Sequence, residues 1–330
     1  MFQVFITDHV APPAELEVRE LDGLARVHCL LAGNTEELFG RVDEADALII
    51  FHEVTVTSSL ITQLRRCRVI VRAGVGFDNV DLKAAGERGI FVCNVPDYGV
   101  DEVADHAIML ALALNRGLAR SERALRRTLA PWGFQAIEPV RRLAGKTMGI
   151  VGFGRIGSAT ALRAKALRMR VIACDPYLRP GLEKSFGVEL VNLETLLGES
   201  DLVSLHTPLT DETRGLINAK TLRAMKRTAI LVNTARGAVV DTRALAEALT
   251  SGTIAGAGID VLPQEPPSTA EPLIRLWQQD DPVVNLILTP HTAFYSDAGS
   301  DEMRCKAAQE VARVLSGTGP KNCVNQEFLK

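Results

Sequence analysis

Short β-branched apolar runs alternate with helix-patterned stretches along nearly the whole 330-residue chain, and that alternation admits few architectures. Strands of a parallel sheet are covered by crossover helices on both faces, so they read as near-continuous apolar runs. In the first hundred residues the candidate strands are 2–8, 26–31, 47–51, 68–73 and 90–95, with amphipathic segments at 56–66 and 82–88. A second series runs over 147–151, 170–174, 202–205, 229–233, 255–261 and 286–289. Between the two lies a long helical pattern over 101–129, rich in Ala, Leu and Arg, and another helix covers about 300–315. The tail 317–330 is too short for a domain and is expected to pack back on the first one.

The strongest local motif is Gly152-Phe-Gly154-Arg155-Ile156-Gly157, preceded by the apolar run Met148-Gly-Ile-Val151 and followed by a helical run over 158–167. Gly152 permits the tight turn, Gly154 lets the backbone approach a pyrophosphate, and Gly157 lets helix and strand pack closely. Backbone N–H groups and the positive helix end then hold the phosphates. Asp175 ends the next strand, where its carboxylate can accept bonds from the ribose hydroxyls and repel a 2′-phosphate. Pro176, Tyr177 and Leu178 offer no immediate arginine for such a phosphate, Arg179 being the nearest, so NAD is expected over NADP. The fold class is therefore α/β with two doubly wound parallel-sheet domains. A flavodoxin-like substrate domain spans 1–100 plus 297–330, and a Rossmann NAD-binding domain spans 101–296.

Bulk properties exclude other classes. A net charge of −3 gives no electrostatic reason to expect nucleic acid or an anionic membrane as partner. No stretch approaches the ~20 apolar residues of a membrane-spanning helix, and the N-terminus reads as a first strand rather than a signal peptide. The six cysteines show no C-x-x-C spacing, so no metal site is expected and a reducing cytoplasm is.

Three polar residues fall just after strand ends of the second series: Arg236, Glu265 and His291. Singly each has an ordinary reading, as a surface ion pair or a loop hydrogen bond. Together they fit oxidation of a 2-hydroxy acid, which needs a cation for the carboxylate, a base for the hydroxyl proton and a hydride acceptor. Arg236 supplies a forked donor and His291 exchanges a proton near neutral pH. Glu265, if it contacts the other imidazole nitrogen, orients His291 and favours its protonated form.

The run 232–241 (Val-Asn-Thr-Ala-Arg-Gly-Ala-Val-Val-Asp), Gly258-Ile-Asp-Val261 with Glu265-Pro266, and Thr289-Pro-His-Thr292 resemble the signature blocks of the D-isomer-specific 2-hydroxyacid dehydrogenases. The stretches 72–81, Cys93-Asn-Val-Pro96, Ala293-Phe-Tyr-Ser296 and Lys321-Asn-Cys-Val-Asn325 are closest to the C-terminal binding protein (CtBP)-like branch. The resemblance implies an NAD-dependent enzyme interconverting a small D-2-hydroxy acid and its 2-keto acid, and a homodimer. It also implies that Arg236 binds the substrate carboxylate and carbonyl, and that His291 is the acid/base paired with Glu265. Asp260 would lie near the nicotinamide, while His206, Thr207, Pro208, Thr234 and Ala235 would line the cofactor. Backbone amides around Val75 and Gly76 would hold the carboxylate.

Phe294 stands where the corepressor proteins of that branch carry tryptophan, which leaves their substrate preference open here, and Asp105 replaces a glutamate common in relatives. His52 follows the third strand and is a candidate substrate contact. His106 and Trp132 read as packing residues, and 267–282 as a long loop over the site. Competing readings are an NAD-sensing scaffold and a dehydrogenase of formate or phosphite.

Overall fold

Apolar runs of four or five residues become parallel strands of two separate sheets in a computed structural model that describes every residue but Pro131, Pro282, Lys330 and the Ala136 side chain. The chain divides into two units, Met1–Gly99 with Ser296–Lys330 and Val100–Tyr295. Among the described residues no helix is long and apolar enough to cross a membrane.

The first unit holds β1 (Phe2–Ile6), β2 (Ala25–Cys29), β3 (Ala47–Ile50), β4 (Val69–Arg72) and β5 (Phe91–Asn94). They lie in the order β2-β1-β3-β4-β5, the flavodoxin-like order, which reverses direction between β1 and β3. On one face Leu48, Ile50, Ile70 and Val92 pack with Leu60 and Ile61 of the helix Ser58–Gln63 and Ala85 of the helix Leu82–Glu87. Against β3 and β4 lies the helix Asp297–Leu315, which also meets the helix Glu15–Glu20. The two helices are joined by an ion pair: Arg304 Nε and Nη2 each donate at 2.7 Å to the carboxylate of Glu17, which is fully buried.

The tail does pack on this unit. Val324 N–H donates to Val92 O (2.8 Å), and the buried Asn325 side chain accepts from Val92 N–H (2.9 Å) and donates to Ile90 O (3.0 Å).

The second unit adds β6 (Thr147–Val151), β7 (Arg170–Cys174), β8 (Glu189–Leu190), β9 (Leu202–Leu205), β10 (Ile230–Asn233), β11 (Gly256–Ile259) and β12 (Leu286–Leu288). Their order is β12-β11-β10-β9-β6-β7-β8, all parallel, with the reversal between β6 and β9. One strand more than the sequence suggested is present. β8 is a two-residue edge strand with both residues exposed, so no apolar run marks it.

β6, β9, β10 and β11 are buried along their whole length because helices cover both faces. Ala107, Leu110, Ala111 and Leu114, at helical spacing on Val100–Asn115, pack with Ile150, Ala161 and Ala164 on one side. Leu196, Leu222, Leu245 and Leu273 cover the other.

Three sequence expectations need correction. The pattern over 101–129 forms two helices, Val100–Asn115 and Leu118–Arg127, because Gly117 takes a left-handed φ of 65° at the break. Residues 267–282 are not simply a loop. Pro272–Gln278 is a helix whose Leu273 and Leu276, three apart, enter the core; Pro282 lies outside the described residues. Trp132 is 80% exposed and so does not pack within the chain.

Arg304→Ala strands the buried Glu17 carboxylate without its counter-charge, and should cost about 3 kcal/mol in urea unfolding. A loss below about 1 kcal/mol, the range of an exposed pair, would contradict that role.

Candidate active site

In parallel α/β sheets the loops after the strands' carboxyl ends form one rim, and ligands bind there near the point where strand order reverses. Every candidate residue of the second unit lies on that rim: Gly152 after β6, Asp175 after β7, His206 after β9, Arg236 after β10, Asp260 and Glu265 after β11, and His291 after β12.

The glycine-rich turn is built as its sequence requires. Gly152 has a φ of 89°, and a Cβ there would sit 2.6 Å from His206 O. A Cβ on Gly157 would fall 2.1 Å from Gly152 O, so only glycine lets the helix Arg155–Ala166 start this close to β6. A Cβ on Gly154 would meet no protein atom within 4 Å. Packing therefore does not demand glycine at 154, whereas a phosphate lying on the backbone does. Arg155 and Ile156 open the helix.

The Asp175 carboxylate accepts Phe153 N–H (2.8 Å) and Tyr177 N–H (2.9 Å), which ties the end of β7 to the glycine turn. Its oxygens keep further lone pairs for hydroxyl donors. His206 sits 2.9 Å from Ser204 Oγ, and burial pushes it down to about 4, so the ring is neutral. The Thr207 and Thr234 hydroxyls are buried without a protein hydrogen-bond partner. Buried polar groups are satisfied as a rule, and a bound polar ligand would satisfy these two. Pro208 is exposed and Ala235 half-buried beside them. This set of residues fits a dinucleotide.

The Arg236 turn is shaped by Asn233, fully buried, whose amide accepts Ala235 N–H (3.0 Å) and donates to Arg236 O (2.9 Å). A Cβ on the next residue, Gly237, would fall 2.0 Å from the Leu262 carbonyl carbon, so the β10 and β11 loops touch backbone to backbone. In the β11 loop Leu262 N–H donates to Glu265 Oε1 (2.8 Å), and Glu265 Oε2 lies 2.6 Å from His291 Nδ1. Burial raises the Glu265 carboxyl, but the His291 hydrogen bond and charge, the Leu262 amide and the Arg236 charge outweigh it and hold the group below the usual carboxylate range.

Sequence reasoning brought these three residues together without the parts that aim them. His291 has a φ of 53°, left-handed and strained for a non-glycine residue. Its N–H donates to Asp260 O (2.8 Å), and the Asp260 carboxylate, 2% exposed, accepts Thr289 Oγ1–H (2.6 Å), Thr292 N–H (3.0 Å) and Ala293 N–H (3.1 Å). Through these contacts Asp260, expected near the nicotinamide, clamps the back of the His291 turn. The Phe294 ring stands edge-on to the His291 ring, centroids 6.0 Å apart. Asn233 was missed as well, although an Asn at a strand end bonding two residues on is a known turn former.

In the first unit, taken by itself, His52 follows β3 in a turn pinned from two sides. The buried Asp8 accepts Phe51 and Glu53 N–H (2.9 Å each), and Asn79 donates to Phe51 O and Val54 O (2.9 Å each). Val75 and Gly76 are half-buried after β4, where Asn94 donates to Val75 O (2.7 Å).

Comparison with known proteins agrees with this fold. The family described as D-isomer specific 2-hydroxyacid dehydrogenase, NAD binding domain, matches residues 108–293. The chain is 43% identical to a glyoxylate reductase of Korarchaeum cryptofilum over 298 residues, 88% of this chain and 86% of that protein. It is 36% identical to a D-3-phosphoglycerate dehydrogenase of Mycobacterium bovis over 98% of its own length, but spans 58% of that longer protein. The solved structure of D-lactate dehydrogenase from Aquifex aeolicus with NAD and lactic acid superposes with a TM-score of 0.85 at 30% identity, covering 95% of this chain and 96% of the other. The chain belongs to the D-isomer-specific 2-hydroxyacid dehydrogenases, NAD-dependent oxidoreductases that interconvert a 2-hydroxy acid and its 2-keto acid.

Proposed function

We propose that this chain reduces a small 2-keto acid with Arg236, Glu265 and His291 as its catalytic set. The 2.6 Å contact between Glu265 Oε2 and His291 Nδ1 carries the reading. With Nδ1–H committed to the carboxylate, the exchangeable proton is the one His291 holds on Nε2. Glu265 fixes the ring's tautomer and orientation, the role a carboxylate plays beside any acid/base histidine. Arg236 offers the forked donor that a 2-keto acid's carboxylate and carbonyl can share. NADH, when bound, supplies the hydride for the carbonyl carbon; the oxygen takes the proton from His291.

The turn 152–157 would hold the pyrophosphate and Asp175 the adenosine ribose, with His206, Thr207, Pro208, Thr234 and Ala235 along the cofactor. The roles implied for Val75, Gly76, His52 and Phe294 in holding substrate belong to the same proposal, as does membership of the CtBP-like branch. Glyoxylate is favoured as the substrate by the 43% identity to the archaeal glyoxylate reductase. A cytoplasmic homodimer completes the reading. Its support is the helix Leu118–Arg127, which has no buried residue, and an apolar surface of Leu118, Leu129, Trp132 and Phe134 that a second copy could cover. Sedimentation at twice the 35.7 kDa chain mass is expected; a monomer would contradict it.

Absorbance at 340 nm should fall rapidly when the protein meets NADH and glyoxylate, and slowly or not at all with NADPH. Silence with every small 2-keto acid, while NADH still binds, would favour the scaffold reading instead.

The depressed Glu265 pKa also makes the pair a pH-linked contribution to stability. That contribution is fully present above the ordinary glutamate value of about 4.3 and is lost as pH falls through the lower folded value. Between pH 7 and 3 the wild type should therefore lose more stability in urea than Glu265→Gln does. Equal losses would show that the carboxylate is not preferentially stabilised in the folded state.

A further inference from the structure

Behind the His291 turn, a histidine not used by the proposed chemistry completes a chain of hydrogen bonds. His106 stands on the helix Val100–Asn115 with its side chain 15% exposed, Nε2 3.0 Å from Thr289 Oγ1 and 3.6 Å from Asp260 Oδ1. Thr289 Oγ1 is 2.6 Å from Asp260 Oδ1. A hydroxyl has one proton to give. It goes to the carboxylate at the shorter distance, so the same oxygen accepts from His106, and Nε2 carries the hydrogen. Burial lowers the His106 pKa against the opposing pull of Asp260, which favours the neutral ring.

Order passes from there to the proposed catalytic histidine. Asp260 Oδ1 holds Thr292 N–H and Oδ2 holds Ala293 N–H, so the carboxylate grips the backbone just beyond His291. The left-handed φ of 53° at His291 persists only because its surroundings over-determine it.

We propose that His106, acting through Thr289 and Asp260, is a positioning residue for His291. Its Nε2–H orients the Thr289 hydroxyl toward the carboxylate, and the oriented carboxylate holds the turn that aims the imidazole. This rests on His291 being the proton donor. Fully satisfied polar networks of this kind rigidify what they hold, and half-satisfied ones loosen it.

The test is NADH-dependent reduction of glyoxylate, or of the best 2-keto acid found, by four variants. His106→Leu removes the donor; His106→Gln keeps an N–H near the place of Nε2. Thr289→Val removes the hydroxyl on the other side, and His291→Ala removes the proton donor itself. In His106→Leu and Thr289→Val, kcat should fall about tenfold, the scale of a slightly misaimed group. The keto-acid KM and the NADH Kd should stay within about twofold, because the binding groups are untouched. His106→Gln should recover most of the lost kcat, and the Leu/Val double variant should lose little more than either single one.

An unchanged kcat in both single variants, or an equal loss in His106→Gln and His106→Leu, overturns the proposal. A His291→Ala variant that still turns over at the wild-type rate defeats the catalytic assignment beneath it. An inactive His291→Ala beside a fully active His106→Leu removes the positioning role alone.

Discussion

Asp260 brings a carboxyl group to a place 2% exposed to solvent, and the site depends on how its oxygens are satisfied. A buried polar group left without partners would be costly, and among the described residues Asp260 has no arginine or lysine bridge. Instead it accepts a threonine hydroxyl and two consecutive backbone amides, all from the segment after β12. Those three donors can be supplied only if the segment 289–293 folds back over the end of β11. Folding back puts His291 into its left-handed conformation and beside Glu265. The geometry proposed for acid/base chemistry is therefore a consequence of satisfying one buried carboxyl group with protein donors.

A second constraint works at the neighbouring strand. Gly237 allows the β10 loop to rest on the Leu262–Pro263 backbone, and Asn233 closes the turn that presents Arg236. The guanidinium is close enough to Glu265 to help hold its carboxyl ionised. Arginine, glutamate and histidine thus share one electrostatic neighbourhood although 55 positions separate the first from the last. The nucleotide turn is organised in the same way, with Asp175 tying β7 to the backbone of Phe153.

Much of this was legible in the sequence because it depends on local pattern. The apolar runs of the longer strands, the glycine spacing at 152–157 and the acidic residue ending β7 each have a cause within a few residues. β8 was not legible, since Glu189 and Leu190 make no apolar run. The break at Gly117 carried a glycine signal that the continuing Ala/Leu/Arg pattern masked. The helix Pro272–Gln278 was hidden by the proline-rich approach to it, although Leu273 and Leu276 have helical spacing. Least legible were the supports of the site. His106 and Thr289 lie 183 positions apart and meet only once the helix Val100–Asn115 has packed beside the sheet. A histidine inside an apolar helical stretch carries no sign of such a partner, and Asp260, expected near the nicotinamide, carries no sign of the clamp.

The proposed catalysis depends on His291 as the group that moves the proton. The most direct test is the single-turnover rate of keto-acid reduction by His291→Ala with NADH saturating. A loss of at least about a hundredfold, with NADH affinity unchanged, is the result expected when a general acid is removed. A rate equal to wild type would contradict the assignment, and with it the reading of the Glu265–His291 contact as catalytic.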